Sequence, residues 1–185
     1  MSRSSQETEI KLTVPGVAEA RRLLYGAGFR VHKRRTFEDN LVLDTPEFTL
    51  RNDARLLRVR EAAGKVTVTY KGRPIASRHK SREELEYEAS STRGAVTVFE
   101  RLGFERIFRY QKYRTEYKVR GSAGVATLDE TPIGVFMELE GNPDWIDRTA
   151  RKLGFSEPDY ITASYGRLYL EWCKRNRRKP GNMVF

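Results

Sequence analysis

Cysteine is nearly absent from this sequence: Cys173 is the only one in 185 residues. A lone thiol closes no intramolecular disulfide and builds no cysteine metal site. It reads as buried helix filler rather than as a nucleophile. Histidine is scarce too, and His32 and His79 sit in basic segments, RVHKRR and SRHKSR, that read as surface rather than as ligands or bases. No apolar run reaches the length of a membrane span. The opening MSRSSQETE lacks the apolar stretch of a signal peptide. The expectation is a cytoplasmic protein with no membrane partner. A Gly-rich phosphate loop is missing as well: GKVTVTYKG is not a Walker A sequence, and GNPDW lacks its lysine. Any phosphate must therefore be gripped by side chains.

Charge is what the sequence has in quantity. Charged residues make up 32% and hydrophobic ones 38%, with nine Phe, nine Tyr and two Trp. That composition suits one folded domain with a real core. The net charge of +10 is uneven. After Cys173 the chain reads KRNRRKPGNMVF, with Lys174, Arg175, Arg177, Arg178 and Lys179 and no acid. We divide the chain into a domain over 1–172 and a basic C-terminal tail over 173–185. The tail reads either as a solvated end or as a contact for nucleic acid, and the first is favoured.

One pattern recurs. A short acidic strand precedes a helix that stops at Gly-Phe: ETEIKL before PGVAEARRLLYGAGF, EELEYE before STRGAVTVFERLGF, and FMELEG before NPDWIDRTARKLGF. Pro15 and Pro143 suit first-turn positions, Ser91 or Thr92 and Asn142 suit N-caps, and Gly28, Gly103 and Gly154 suit left-handed helix ends. Further strands are predicted over 40–43, 54–61, 65–71, 110–119 and 124–129, and a last helix over 164–174. Several strands abut without a helix-length crossover, which favours an antiparallel sheet.

Within these strands, ionic side chains alternate with apolar ones. Glu7, Glu9 and Lys11 alternate with Thr8, Ile10 and Leu12; Arg58 and Arg60 with Leu57 and Val59; Lys65 and Lys71 flank Val66, Val68 and Tyr70. Arg82, Glu84, Glu86 and Glu88 share one face, as do Lys112, Arg114 and Glu116, and Glu138 and Glu140. Strand by strand, an amphipathic sheet with one wet face explains this. Taken together, charges of both signs on strand after strand fit a barrel with helices outside and a polar interior. Unpaired lining charges are costly, so such an interior needs an occupant. Cations in number suit a polyanion, and carboxylates among them suit a hard divalent cation. A triphosphate with magnesium or manganese meets both demands. For the glutamates, exposed salt-bridge partnership is the plain alternative.

The same residues, in order, resemble the CYTH family of triphosphate tunnel metalloenzymes, with its class IV adenylate cyclases and thiamine triphosphatases. ETEIK is similar to the Glu-x-Glu-x-Lys signature. DNLVLDTPEFTLRNDARLLRVR resembles the block ending in Arg-x-Arg, although Leu41 and Leu43 stand where aromatics are commoner. VTVTYKG, SREELE, KYR, TLDETPIGVFMELEG and ASYGRLYL resemble the later motifs, and the match spans residues 7 to about 170. The resemblance implies an α+β fold: an eight-stranded antiparallel β-tunnel with helices outside, often as a homodimer. It implies that Glu7, Glu9, Glu138 and Glu140 hold one or two divalent metals (Mg2+ or Mn2+), with Asp129 and Glu84 as helpers. Lys11, Arg58, Arg60, Lys71, Lys112 and Arg114 would grip phosphates, joined by Arg82 unless it orients the carboxylates.

Two reactions fit such a cradle, a cyclase acting on ATP and a triphosphatase acting on tripolyphosphate or an organic triphosphate. The closest likeness in length and in the KSREELE segment is to the class IV cyclases. Lys71 is the candidate general base, because neighbouring cations and desolvation favour a neutral amine, and Glu9 is the carboxylate on which turnover is expected to depend most. A non-catalytic polyphosphate- or RNA-binding module is the third reading. Tyr165 either covers the tunnel mouth or packs in the core, and Asp39 and Asp44 either reach the tunnel or shape the turn at Thr45-Pro46.

Overall fold

In the computed structural model, described over residues 3–75 and 77–185, alternation in the strands becomes an inside and an outside. The elements are β1 (Arg3–Val14), α1 (Val17–Gly26), β2 (Arg30–Asp44), α2 (Thr49–Asn52), β3 (Leu56–Ala62), β4 (Lys65–Lys71) and β5 (Lys80–Ala89). There follow α3 (Thr92–Arg101), β6 (Glu105–Lys118), β7 (Val125–Thr131), β8 (Gly134–Glu140), α4 (Pro143–Lys152) and α5 (Tyr165–Arg175). The strands close into an antiparallel barrel in the order β1-β5-β4-β3-β2-β6-β7-β8. The expected eight-stranded tunnel with external helices is the fold found.

Apolar residues of the strands face outward and are covered by helices. Ile10, Leu12, Leu128, Met137 and Leu139 pack beneath Leu24 and Ala20 of α1 and Ile146 and Ala150 of α4. On the other flank Leu43, Val59 and Val68 pack beneath Ala95 and Val96 of α3. Burying one such side chain contributes roughly 1.5–3 kcal/mol, so these two layers fix which face of every strand looks inward.

The helix boundaries follow local chemistry. Ser91 and Asn142 accept hydrogen bonds from the backbone N–H of Gly94 and Trp145. Pro143 opens α4, whereas Pro15 lies ahead of the N-cap Gly16 rather than in the first turn of α1. Gly28, Gly103 and Gly154 take φ of +86°, +89° and +89° where α1, α3 and α4 end.

Strand β2 is much longer than the predicted 40–43. Its first half, Arg30–Arg35, is exposed on both faces, so period-2 patterning has nothing to act on. It is held instead by its ladder with β6, with register shifts between Val31 and Lys33 and between Lys33 and Thr36.

Candidate functional site

Ladder registers set the ionic residues side by side inside the barrel. Lys11 lies opposite Glu138, and Glu9 opposite both Glu140 and Lys80. Glu7 lies opposite Arg82, Lys71 opposite Glu84, and Arg114 opposite Asp129. Twelve of the thirteen site residues predicted from sequence line one cavity of about 1860 Å³: Glu7, Glu9, Lys11, Arg58, Arg60, Lys71, Arg82, Glu84, Lys112, Arg114, Glu138 and Glu140. The thirteenth, Asp129, is fully buried in the wall.

Strand order gives the cavity two walls. Strands β3 and β8 lie half-way round the closed barrel from each other. The Arg58 and Arg60 wall therefore faces the Glu138 and Glu140 wall, with β1 and its Glu7 and Glu9 beside the latter.

The lysines are already in contact with carboxylates. Lys11 Nζ stands 3.1 Å from Glu9 and 3.3 Å from Glu138. Lys71 Nζ stands 2.6 Å from Glu7 and 3.2 Å from Glu84, and Lys112 Nζ 2.7 Å from Asp129. Three arginines stand further off. Arg58 is 3.6 Å from Glu86, Arg60 is 3.7 Å from Glu86 and 3.8 Å from Glu38, and Arg82 is 3.6 Å from Glu7. Among the described residues, Arg58 Nε and Arg82 Nε are buried without a hydrogen-bond partner. Buried donors of this kind are expensive unless a ligand supplies the acceptor.

Burial works to raise the Glu9 and Glu138 carboxyls. Lys11 at Glu9, and Arg114 with Lys11 at Glu138, outweigh it and hold both well below the ordinary carboxylate range. Burial lowers the Lys11 ammonium, but Glu138 and Glu9 together hold it above the usual lysine value. At Glu84 burial prevails and, with Glu7 adding to it against Lys71, pushes the carboxyl up to about 7.

Asp129, expected as a metal helper, lies in the wall among cations. Its two oxygens accept from Lys112 (2.7 Å), from Arg114 Nε and a terminal guanidinium nitrogen (2.7 and 2.5 Å), and from the Tyr165 hydroxyl (2.7 Å). A carboxylate engaged by three side chains is a bracket for cations rather than an open ligand. Lys71, the expected general base, has the carboxylates of Glu7 and Glu84 as its direct contacts.

Several residues in or beside the cavity fell outside the thirteen predicted from sequence. Lys80, two places before Arg82 and so on the same strand face, stands 3.3 Å from Glu9. Burial first, then Lys11, lowers its amine to about 8. Glu38, on the part of β2 that patterning did not reach, is buried beside Lys112 at 3.7 Å. Burial opposes its ionisation, but Lys112, Arg114 and Arg60 draw it down to about 2. Glu86 shares the face of Glu84, and Thr69 donates to it at 2.7 Å. Tyr165 is buried in packing and also lines the cavity. It packs with Val42, Tyr110 and Phe136, and its ring lies 5.4 Å from Lys11 Nζ and 5.0 Å from Lys112 Nζ.

The remaining candidates make structural contacts, and of them Asp44 also lines the cavity. His79 is buried rather than on the surface, with Nε2 2.7 Å from Asp147 of α4. Asp44 accepts from the backbone N–H of Thr45, Leu50 and Arg51, capping α2, and Asp39 pairs outside the barrel with Arg109 at 2.5 Å. Cys173 is buried. Helix α5 carries on past it to Arg175, and Met183 returns to the barrel, where it is buried.

The donors of the carboxylate wall are all oxygens, the chemistry of a hard divalent cation. Glu9 and Glu140 are direct ladder partners of like charge, an unfavourable arrangement that a cation relieves. Among the described residues no three acidic or histidine side chains are gathered into a ready cation cage, because the lysines stand between them.

A CYTH domain match covers residues 5–165. The chain is 30% identical over 135 residues to a candidate adenylate cyclase of Methanocaldococcus jannaschii, covering 72% of this chain and 75% of that protein. A solved Pyrococcus horikoshii structure superposes with a TM-score of 0.75 at 26% identity, covering 89% of this chain and 98% of that one. A candidate adenylyl cyclase of Hippeastrum, described as having a dominant triphosphatase activity, has the same fold at 20% identity, with a TM-score of 0.65 over 94% of this chain and 97% of that one. With the tunnel, its alternating charges and this match over most of its length, the chain belongs to the CYTH domain family.

Proposed function

We propose that this protein is a divalent-metal-dependent enzyme that seats a triphosphate between the arginine wall and the carboxylate wall of its tunnel. Its favoured reaction is conversion of ATP to cyclic AMP and pyrophosphate. The observation that carries the seat is the stand-off of Arg58, Arg60 and Arg82 from their carboxylates, at 3.6–3.8 Å. Arg58 donates to Tyr110 and Thr69, but none of the three guanidiniums is closed in a bidentate pair with a carboxylate, and bidentate contact to phosphate oxygens is what arginine does and lysine does not.

Phosphoryl transfer asks little covalent work of the protein; positioning and charge stabilisation supply most of the rate. In the cyclase reading the ribose 3′ oxygen bonds to the α-phosphorus, the bond from that phosphorus to the pyrophosphate oxygen breaks, and the hydroxyl proton leaves to a tunnel carboxylate. Arg58 and Arg60 take up charge on the phosphate oxygens. Lys112 and Arg114, bracketed by Asp129, do so from the neighbouring wall, and Arg82 both orients Glu7 and donates. Glu7, Glu9, Glu138 and Glu140 would hold the metal, with Glu84 beside them. A bound divalent cation would supply charge neutralisation on the phosphate oxygens. Lys11 is shared between Glu9 and Glu138, two of these carboxylates. Lys71, gripped by Glu7 and Glu84, is better suited to setting those carboxylates than to taking a proton.

The name of the M. jannaschii relative supports the cyclase reading. The second reading is a triphosphatase, in which water attacks the terminal phosphate in the same cradle. The Hippeastrum protein carries that activity on this fold, so fold does not choose between them. The test is product identification after incubation with ATP or tripolyphosphate and magnesium or manganese. Cyclic AMP with pyrophosphate supports the first reading and orthophosphate the second. No product from any triphosphate overturns both and leaves a non-catalytic polyanion binder, whose affinity falls steeply with salt.

A further inference from the structure

The end of the sequence folds back onto the tunnel. After α5 the chain turns at Arg177, whose φ is +52°, and residues 182–183 run beside β6. Met183 N donates to the Arg109 carbonyl at 3.0 Å, and the Gln111 N–H donates to the Met183 carbonyl at 2.9 Å. The Arg109 N–H donates to Asn182 Oδ1 at 2.9 Å, and the Phe185 N–H to Gln111 Oε1 at 3.2 Å. Strand β7 takes up pairing with β6 only from Tyr113, so the segment covers the edge of β6 that β7 does not reach.

Met183 is 1% exposed, pairs with Tyr110 across a β-bridge, and belongs to the buried cluster that holds Tyr110 and Tyr165. Those two rings have centroids 6.2 Å apart. The Tyr165 hydroxyl in turn donates to Asp129 at 2.7 Å, the carboxylate that brackets Lys112 and Arg114. One packed cluster thus joins an apolar wedge, two tyrosines, and a carboxylate that holds two cations lining the cavity. A wedge lost from a packed site leaves a gap into which its neighbours move. Partners one layer out routinely set the strength of the layer they orient.

We propose that Met183 is a positioning residue for the anion grip, acting through Tyr165 on the Asp129 bracket. The segment is then part of the working tunnel rather than a loose basic end. The affinity and turnover arms of the test rest on the triphosphate reading; the resonance arm does not.

The test compares Met183→Ala, Met183→Leu, Tyr165→Phe and the double variant Met183→Ala/Tyr165→Phe by calorimetric titration of tripolyphosphate with manganese. Met183→Ala and Tyr165→Phe should each weaken binding about tenfold. The double variant should be no weaker than either single one, and Met183→Leu should restore most of the affinity. In turnover KM should rise while kcat stays within about twofold, the mark of lost binding common to ground and transition states. Multiplying effects, or native affinity in Met183→Ala, would overturn the inference. Should native protein bind no tripolyphosphate, the triphosphate reading fails by itself. The positioning is then decided by the ring resonances of 13C-labelled Tyr165, which should shift in Met183→Ala and return in Met183→Leu. A Tyr165 signal indifferent to Met183 would contradict it.

Discussion

The Lys11 ammonium stands 3.3 Å from Glu138, its direct partner across the β1–β8 ladder, and the same nitrogen reaches Glu9 at 3.1 Å. A fixed cation thus bridges two of the carboxylates assigned to the metal. Replacing Lys11 by Met removes that bridge and leaves the carboxylates to repel. The variant should lose stability without metal by roughly 3–5 kcal/mol, the usual cost of breaking a buried ion pair, and recover part of it in magnesium or manganese. Urea unfolding with and without metal measures this; a variant as stable as the native protein, or one indifferent to metal, would count against the assignment.

Arg58 is predicted to be intolerant of a conservative change. Arg58→Lys keeps the charge but loses the planar donor pair, and Arg58 is further set by Thr69 Oγ1 at 3.1 Å. Turnover should fall about 100-fold or more, the scale on which loss of one preorganised donor is felt, with the fold intact by circular dichroism. Native turnover in Arg58→Lys would remove the arginine wall from the mechanism.

Glu38 makes the stability of the barrel pH-dependent. Its carboxyl lies at about 2 against an ordinary 4.5, so the folded state binds its proton less readily than the unfolded chain. The resulting stabilisation is fully present above pH 4.5 and is lost as pH falls through 2. At 1.36 kcal/mol per unit it is on the order of 3 kcal/mol. Glu38→Gln should be destabilised by about that amount at neutral pH, with the gap to native protein closing below pH 4. A gap that does not change with pH would mean the ionised form is not what Glu38 contributes.

Lys80 should titrate within reach of physiological pH. With its amine lowered to about 8 by burial and by Lys11, one resonance of the 13C-dimethylated lysines in metal-free protein should move with a midpoint near 8 and vanish in Lys80→Arg. All lysines titrating above 10 would refute it.

How much of this the sequence disclosed depended on how each residue is held. Residues on strands with one apolar face were legible, because a period of two assigns Glu7, Glu9, Arg58 and Glu138 to the same side without further knowledge. Glu38 was not, since it lies next to a stretch of β2 exposed on both faces, where alternation has no meaning. Lys80 followed from counting two back from Arg82, but SRHKSR reads as a basic loop, and the burial of His79 against Asp147 is a contact between distant segments. Asp129 was found by motif, yet its engagement by Lys112, Arg114 and Tyr165 is a property of packing. The docking of Met183 on the edge of β6 had no sequence signal beyond a few apolar residues after a basic run.

The measurement that bears most directly on the central claim is calorimetric binding of tripolyphosphate with and without manganese, in native protein, Arg58→Ala and Glu138→Gln. The account predicts that metal strengthens anion binding and the anion strengthens metal binding by the same factor. It further predicts that Glu138→Gln abolishes the coupling while Arg58→Ala weakens the anion in either condition. Equal affinity with and without metal, unchanged by either substitution, would contradict it.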